Sequence, residues 1–198
     1  MRLAEFCRKI SASVNFHLKD AILTCNYKDL TMKTILGDKE QMICSFVAKQ
    51  RVESNRAANS FNAKRSEKSD YEIDLQGFAG ELAFCKLMNR FPDFTSDPRS
   101  AAKGQDQGDC VVDGFRVDVK TSAADKPMLW IKARKRGCAD LFALMVGSYP
   151  EYDFKGFVHH DVVFAEGNKH TFPNGDTCYG VPVTTLILDL ERALPQSL

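Results

Sequence analysis

Hydrophobic and polar positions change their period along the chain. Up to about residue 45 no clean period emerges, and the segment reads as helical or mixed. From Lys39 to Lys64 there is neither Pro nor Gly and helix formers dominate, which predicts a helix with Met42, Phe46, Lys49 and Val52 near one face. Ala63–Asp70 is polar and reads as a loop. Leu75–Phe91 is apolar at Leu75, Phe78, Leu82, Cys85 and Met88, a helical spacing that ends before Pro92. Being apolar nearly all round, this helix should be buried. The polar stretch Asp93–Gln107 reads as a loop.

After this loop the period changes to alternation. Gly108–Ala123 holds two β-rich runs around Asp113-Gly114, a strong hairpin signal. Met128–Ala133, Asp140–Gly147 and Phe157–Ala165 are predicted strands, and Val183–Leu194 a closing helix or strand plus helix. No internal repeat or low-complexity segment interrupts the pattern. The expected organisation is a helical N-terminal extension over 1–69 and an α/β (α+β) core over 70–198.

Composition adds that 198 residues, 44% of them hydrophobic and including 14 Phe, can bury a sizeable core without disulfides. No apolar run approaches the roughly 18 residues of a membrane span, and a cytoplasmic protein is expected, in the host cytoplasm if phage-encoded. The 7 Cys stand singly with no C-x-x-C pair, favouring buried thiols over structural zinc. The formal charge of +1 hides segregation. Lys126–Arg136 carries five basic residues and no acid, and Lys49–Lys68 six against two acids, while Ser148–Leu198 holds seven acids against three Lys/Arg. A near-neutral total can therefore still present a basic face to a polyanion.

Counting outward from Asp113-Gly114 sets Val112 opposite Phe115, Val111 opposite Arg116, Cys110 opposite Val117 and Asp109 opposite Asp118. Cys110, Val112, Phe115, Val117 and Val119 then share an apolar face, and Asp109, Asp118 and Lys120 the other, along with Val111 and Arg116 nearer the turn. Opposed carboxylates need a cation or a shared proton. Mg²⁺ suits such a pair, with Mn²⁺ as a substitute, because it uses one or two carboxylates and keeps waters. Lys120 lies within reach of a metal-bound water, so the set could hydrolyse phosphodiesters, the ammonium orienting or helping to deprotonate the nucleophile. The alternative is a solvated face whose acids pair with Lys120 and Arg116. Glu81, amid an apolar helix, is costly there unless paired or metal-bound, the alternative being a wet helix edge. Gly77 and Gly80 would let that helix approach the sheet.

The order Glu81 on a helix, Asp109, then Asp118-Val119-Lys120 resembles the PD-(D/E)XK nuclease superfamily, over roughly Gln76–Gly147, with the tail Lys155–Leu190 similar to small phage and bacterial members. The resemblance implies a restriction-endonuclease-like αβββ(α)β core with a mixed central sheet flanked by helices. It further implies that Asp109 and Asp118 bind the metal, the Val119 carbonyl completes the site, Glu81 supports it, and Lys120 is catalytic. Gly108 stands where the family name has Pro, and no Gln-x-x-x-Lys/Tyr helix follows the third strand. The expected activity is Mg²⁺-dependent DNA cleavage, endonucleolytic in the first instance. A non-catalytic DNA- or partner-binding module and a hydrolase of small phosphate esters are the alternatives.

Lys132, Arg134, Lys135 and Arg136 are candidates for DNA-phosphate contacts, with Arg51, Arg56, Lys64 and Arg65 as a second surface. Cutting both strands of a duplex would favour a homodimer. Trp130 is expected in the core rather than stacked on a base. His159 and His160, adjacent on a strand, should point to opposite faces, and Asp140 should be a turn or capping residue.

Overall fold

A computed structural model describes residues 32–59, 67–96, 108–123, 125–173 and 175–194. Lys64, Arg65, most of the loop before the hairpin and the region upstream of Met32 lie outside the described residues. Strand β1 (Met32–Ile35) leads through Gly37 into helix α1 (Asp38–Ala57), where the Gly37 N–H donates to Glu40 Oε2 at 2.6 Å. Asp38 and Glu40 in the first turn and Arg56 in the last complement the helix dipole. Helix α2 (Asp70–Met88) starts with a reciprocal box, Glu72 N–H to Ser69 Oγ and Ser69 N–H to Glu72 Oε2. It ends at Asn89 in the left-handed conformation, φ 52°. The cap places the start five residues ahead of the apolar pattern, and Asn89 rather than Pro92 sets the stop.

The remaining elements are β2 (Cys110–Val112), β3 (Phe115–Ser122), β4 (Met128–Lys132), β5 (Leu141–Ser148), β6 (Glu151–His159), α3 (His160–Val163), β7 (Lys169–Thr171), β8 (Thr177–Pro182) and α4 (Leu190–Ala193). They form an α+β fold with two sheets. The five-stranded mixed sheet has the order β1-β6-β5-β3-β2, in which β3 and β5 run parallel and the other pairs antiparallel. The three-stranded antiparallel sheet has the order β4-β8-β7.

The central strand β5 is buried on both faces from Leu141 to Met145. Leu141, Ala143 and Met145 share a core with Phe78, Phe84 and Cys85 of α2 and with Phe154 and Phe157 of β6. Phe142 and Leu144 join Leu129, Ile131, Tyr179 and Val181 of the smaller sheet on the other side. Burial of large aromatic and aliphatic side chains on both faces is the main stabilising contribution. At Gly80 an added Cβ would overlap the Thr121 side chain, so glycine permits close approach of α2 to β3, whereas the space at Gly77 is open.

Several expectations change. The extension does not stop at residue 69, because β1 is an edge strand of the main sheet and α1 packs on α2; the compact unit runs from Met32. On α1 the buried residues are Cys44, Val47, Ala48 and Val52, while Met42 and Phe46 face solvent. The strand expected at Met128–Ala133 forms, but in the smaller sheet, so the αβββ succession is not one sheet. The strand expected at Phe157–Ala165 ends at His159 and begins at Glu151. The fully exposed β7 and the strand β8 carried no clear alternation.

Candidate functional site

The hairpin β2–β3 builds the site. Asp113 and Gly114 have φ of 48° and 92°, the left-handed pair that a two-residue turn matched to strand twist requires. The pairing is the counted one: Val112 with Phe115, Val111 with Arg116 and Cys110 with Val117. Asp109 lies just outside β2, its N–H donating to Val117 O at 2.8 Å. Gly108 before it has φ +83°, and a Cβ there would stand 2.7 Å from Val117 O. Proline, restricted to negative φ, is therefore excluded from this position.

Asp118 is fully buried and Asp109 nearly so. Asp109 Oδ2 accepts the Val119 N–H at 2.7 Å. Asp118 Oδ1 accepts Lys120 Nζ at 2.6 Å, with Lys135 Nζ at 3.5 Å. Asp118 Oδ2 is buried without a hydrogen-bond donor, and the Asp109 carboxyl is close enough to share a proton with Asp118. Lys120 Nζ also donates to Val119 O at 3.2 Å. The hairpin thus brings Asp109, Asp118, Val119 and Lys120 together.

Burial, reinforced by the charges of Glu81 and Asp118, drives the Asp109 carboxyl well above the usual carboxylate range. Burial pushes Asp118 the same way, but Lys120 and Lys135 outweigh it and hold Asp118 below that range. Burial favours the neutral amine of Lys120, yet Asp118 and Asp109 overcome this and raise its pKa. Lys120 is therefore a firm ammonium in this state, and a role in deprotonating the nucleophile does not follow from it.

Glu81 sits beside this group on α2, and Arg51 of α1 grips both of its oxygens at 3.1 and 2.9 Å. The same guanidinium lies 4.9 Å from the Phe78 ring centroid. Both Glu81 oxygens are thus engaged by Arg51, and the Glu81 charge also acts on Asp109. Arg51 and Lys135, expected on DNA-contacting surfaces, are inner members of the carboxylate cluster. Their partners come from distant segments, so local pattern carried no signal for them, although a buried Glu81 demanded some cation.

Other candidates are placed differently. Arg136 stacks over Phe164 at 4.5 Å and donates to Tyr179 Oη at 3.1 Å, so it braces the smaller sheet. Lys132, Arg134 and Arg56 are exposed. Arg116 pairs with Asp140 through Nη2–Oδ1 at 2.7 Å, so Asp140 is an ion-pair partner as well as a loop residue. His159 and His160 do not diverge, since the chain turns into α3 there and each Nδ1 approaches the Asp161 carboxylate, at 3.6 and 3.0 Å. Trp130 is 39% exposed rather than core. Cys44, Cys85 and Cys110 are in the thiol form, and burial pushes Cys44 up to about 12.

Among the described residues no three His, Cys, Asp or Glu side chains form a metal-holding group. A fit to a hard cation rests instead on two carboxylates and a carbonyl. Two buried carboxyls side by side, with Asp118 Oδ2 taking no bond from either lysine, favour a shared proton or a cation, and hydrated Mg²⁺ or Mn²⁺ suits such a sparse oxygen set. No helix among the described residues is long and apolar enough to cross a membrane.

Fold and site define an α+β protein whose mixed sheet carries a buried carboxylate–lysine cluster at a hairpin. The chain belongs to a family of unknown function, DUF5843, whose model matches residues 28–188. No curated protein and no solved structure matches.

Proposed function

We propose that the protein is a metal-dependent nuclease of restriction-endonuclease-like fold that hydrolyses DNA phosphodiester bonds with water as nucleophile. Asp109, Asp118 and the Val119 carbonyl would hold Mg²⁺ or Mn²⁺. The observation that supports this reading is the buried Asp109–Asp118 carboxyl pair, whose Asp118 Oδ2 takes no bond from Lys120 or Lys135. A divalent cation there supplies charge stabilisation at the phosphoryl oxygens and lowers the pKa of bound water. Lys120 contributes a fixed positive charge where charge develops on the phosphate. Lys135 adds a second, and Arg51 restrains Glu81 so that its charge does not stand uncompensated beside Asp109. Exposed Lys132 and Arg134 lie on the segment leading to Lys135 and would neutralise DNA phosphates.

The test is cleavage of supercoiled, linear and branched DNA with Mg²⁺ or Mn²⁺ and with EDTA. Cleavage with metal, abolished in Asp118→Asn and reduced about 10²-fold or more in Lys120→Ala, is expected. Equal rates in both variants and the unmodified chain would overturn the assignment. One observation favours a second reading, a non-catalytic DNA- or partner-binding module. Lys120 and Lys135 pair with Asp118, and Arg51 with Glu81, so that the charges of the cluster balance one another. Such a module would bind DNA equally in EDTA and never cut it.

A further inference from the structure

The outer face of the smaller sheet has a composition that the catalytic cluster does not explain. In β4, Leu129 and Ile131 are buried, so Met128, Trp130 and Lys132 point the other way. Register extends this face across the sheet: Met128 pairs with Pro182, Trp130 with Gly180, and Lys132 with Cys178, which in turn pairs with His170 of β7. None of these paired positions is a carboxylate, and Lys132 among them carries an ammonium.

Trp130 is held rather than loose. At Gly180 an added Cβ would stand 2.7 Å from the indole Cζ3, so glycine lets the indole settle on the sheet. His170 meets the indole edge-on at 5.1 Å between centroids, and Phe172 lies tilted at 5.9 Å. The indole nevertheless stays 39% exposed. β4 then runs through Ala133–Lys135, and Lys135 reaches Asp118. A pre-positioned aromatic beside basic residues, on a segment continuous with the candidate site, matches the pairing of stacking platform and cationic track by which single strands are held.

We infer that Trp130, braced by Gly180 and His170, is a stacking site for an unpaired base of a nucleic-acid strand whose phosphates run past Lys132 and Arg134. This rests on the nuclease reading for the identity of the polyanion, but its signal is binding and not hydrolysis. The chain holds 1 Trp, so its intrinsic fluorescence reports this position alone.

The experiment titrates the full chain, in EDTA, with a short oligothymidylate and with an abasic oligomer of equal length. Quenching by the first and not by the second is expected, as is an affinity loss of about tenfold for the base-containing strand alone in Trp130→Ala. Should Trp130→Ala fail to fold, the comparison of the two oligomers on the unmodified protein decides. Equal responses to both oligomers, or no quenching by either at saturation, overturn the inference. Measuring quenching and metal-dependent cleavage on the same unmodified chain separates the two readings. Quenching without metal-dependent cleavage by the unmodified chain leaves the stacking site standing and removes the nuclease; cleavage without quenching does the reverse.

Discussion

Asp109 and Asp118 sit at adjoining positions of one hairpin, yet their surroundings drive their protons in opposite directions. Asp118 has two ammonium groups on Oδ1, whereas Asp109 has the Val119 N–H and the field of two other carboxylates. A raised folded-state pKa means that Asp109 supports the fold fully below its unfolded value and loses that support as pH rises through its folded value. Asp118, held low, behaves oppositely: its contribution is present above its unfolded value and is lost as pH falls through the depressed folded one. Asp109→Asn should therefore stabilise the metal-free protein at neutral pH by about 1–3 kcal/mol, since an amide keeps an acceptor for the Val119 N–H without adding charge. Thermal melts between about pH 4 and pH 8 check this. The variant's advantage should grow with pH, and a constant difference would show that Asp109 carries no excess proton. Asp118→Asn should instead destabilise over the same range, because it strips two buried or half-buried lysine contacts of their carboxylate.

At the scale of elements, the contact of α2 with β3 fixes where Glu81 meets the hairpin. Gly80→Ala drives a methyl into Thr121, and overpacking of this kind costs about 1–3 kcal/mol. Gly77→Ala, at a position with open space, should be neutral or stabilising. Thr121→Ser removes the clashing methyl, so the Gly80→Ala/Thr121→Ser double variant should recover most of the loss in urea unfolding; additive losses would place the strain elsewhere. These same elements show why some of the molecule was legible from sequence. The Asp-Gly turn fixes register by local geometry, so the faces of β2 and β3 and the meeting of Asp109, Asp118 and Lys120 followed from counting. Helix α2 was visible through its apolar repeat, and its true start lay in the Ser69–Glu72 box, a polar signal that the apolar repeat does not contain. On α1 the apolar residues are spread around the helix, and Met42 and Phe46, which the spacing put near one face with Val52, are outward because Cys44, Val47 and Ala48 meet the core. Alternation identified β4 as a strand but carries no information on its partner, which is β8, some fifty residues away in the chain. Arg51 and Lys135 stayed hidden for the same reason: each acquires its role from a carboxylate that only the tertiary fold brings near.

Over the whole molecule, the cluster assembles three carboxyl groups, of Glu81, Asp109 and Asp118, against three cations, of Arg51, Lys120 and Lys135. The raised Asp109 carboxyl tips this balance toward positive charge, which suits a phosphate but opposes a divalent ion. On the proposed nuclease reading, uptake of Mg²⁺ or Mn²⁺ would displace any proton held by Asp109, because ligation requires the carboxylate. On that reading metal affinity should rise with pH through the raised Asp109 value, and loading at a pH below that value should release protons. Calorimetric titration of Mn²⁺ in two buffers of different ionisation enthalpy measures this release directly. Asp109→Asn should abolish the buffer dependence along with most of the affinity. Lys135→Met, which withdraws the more distant ammonium from Asp118, should tighten metal binding while weakening retention of DNA in EDTA, since the same charge that competes with the ion attracts the phosphate. A Lys135→Met protein that lost metal and DNA affinity together would mean that Lys135 holds the shape of the cluster rather than its charge.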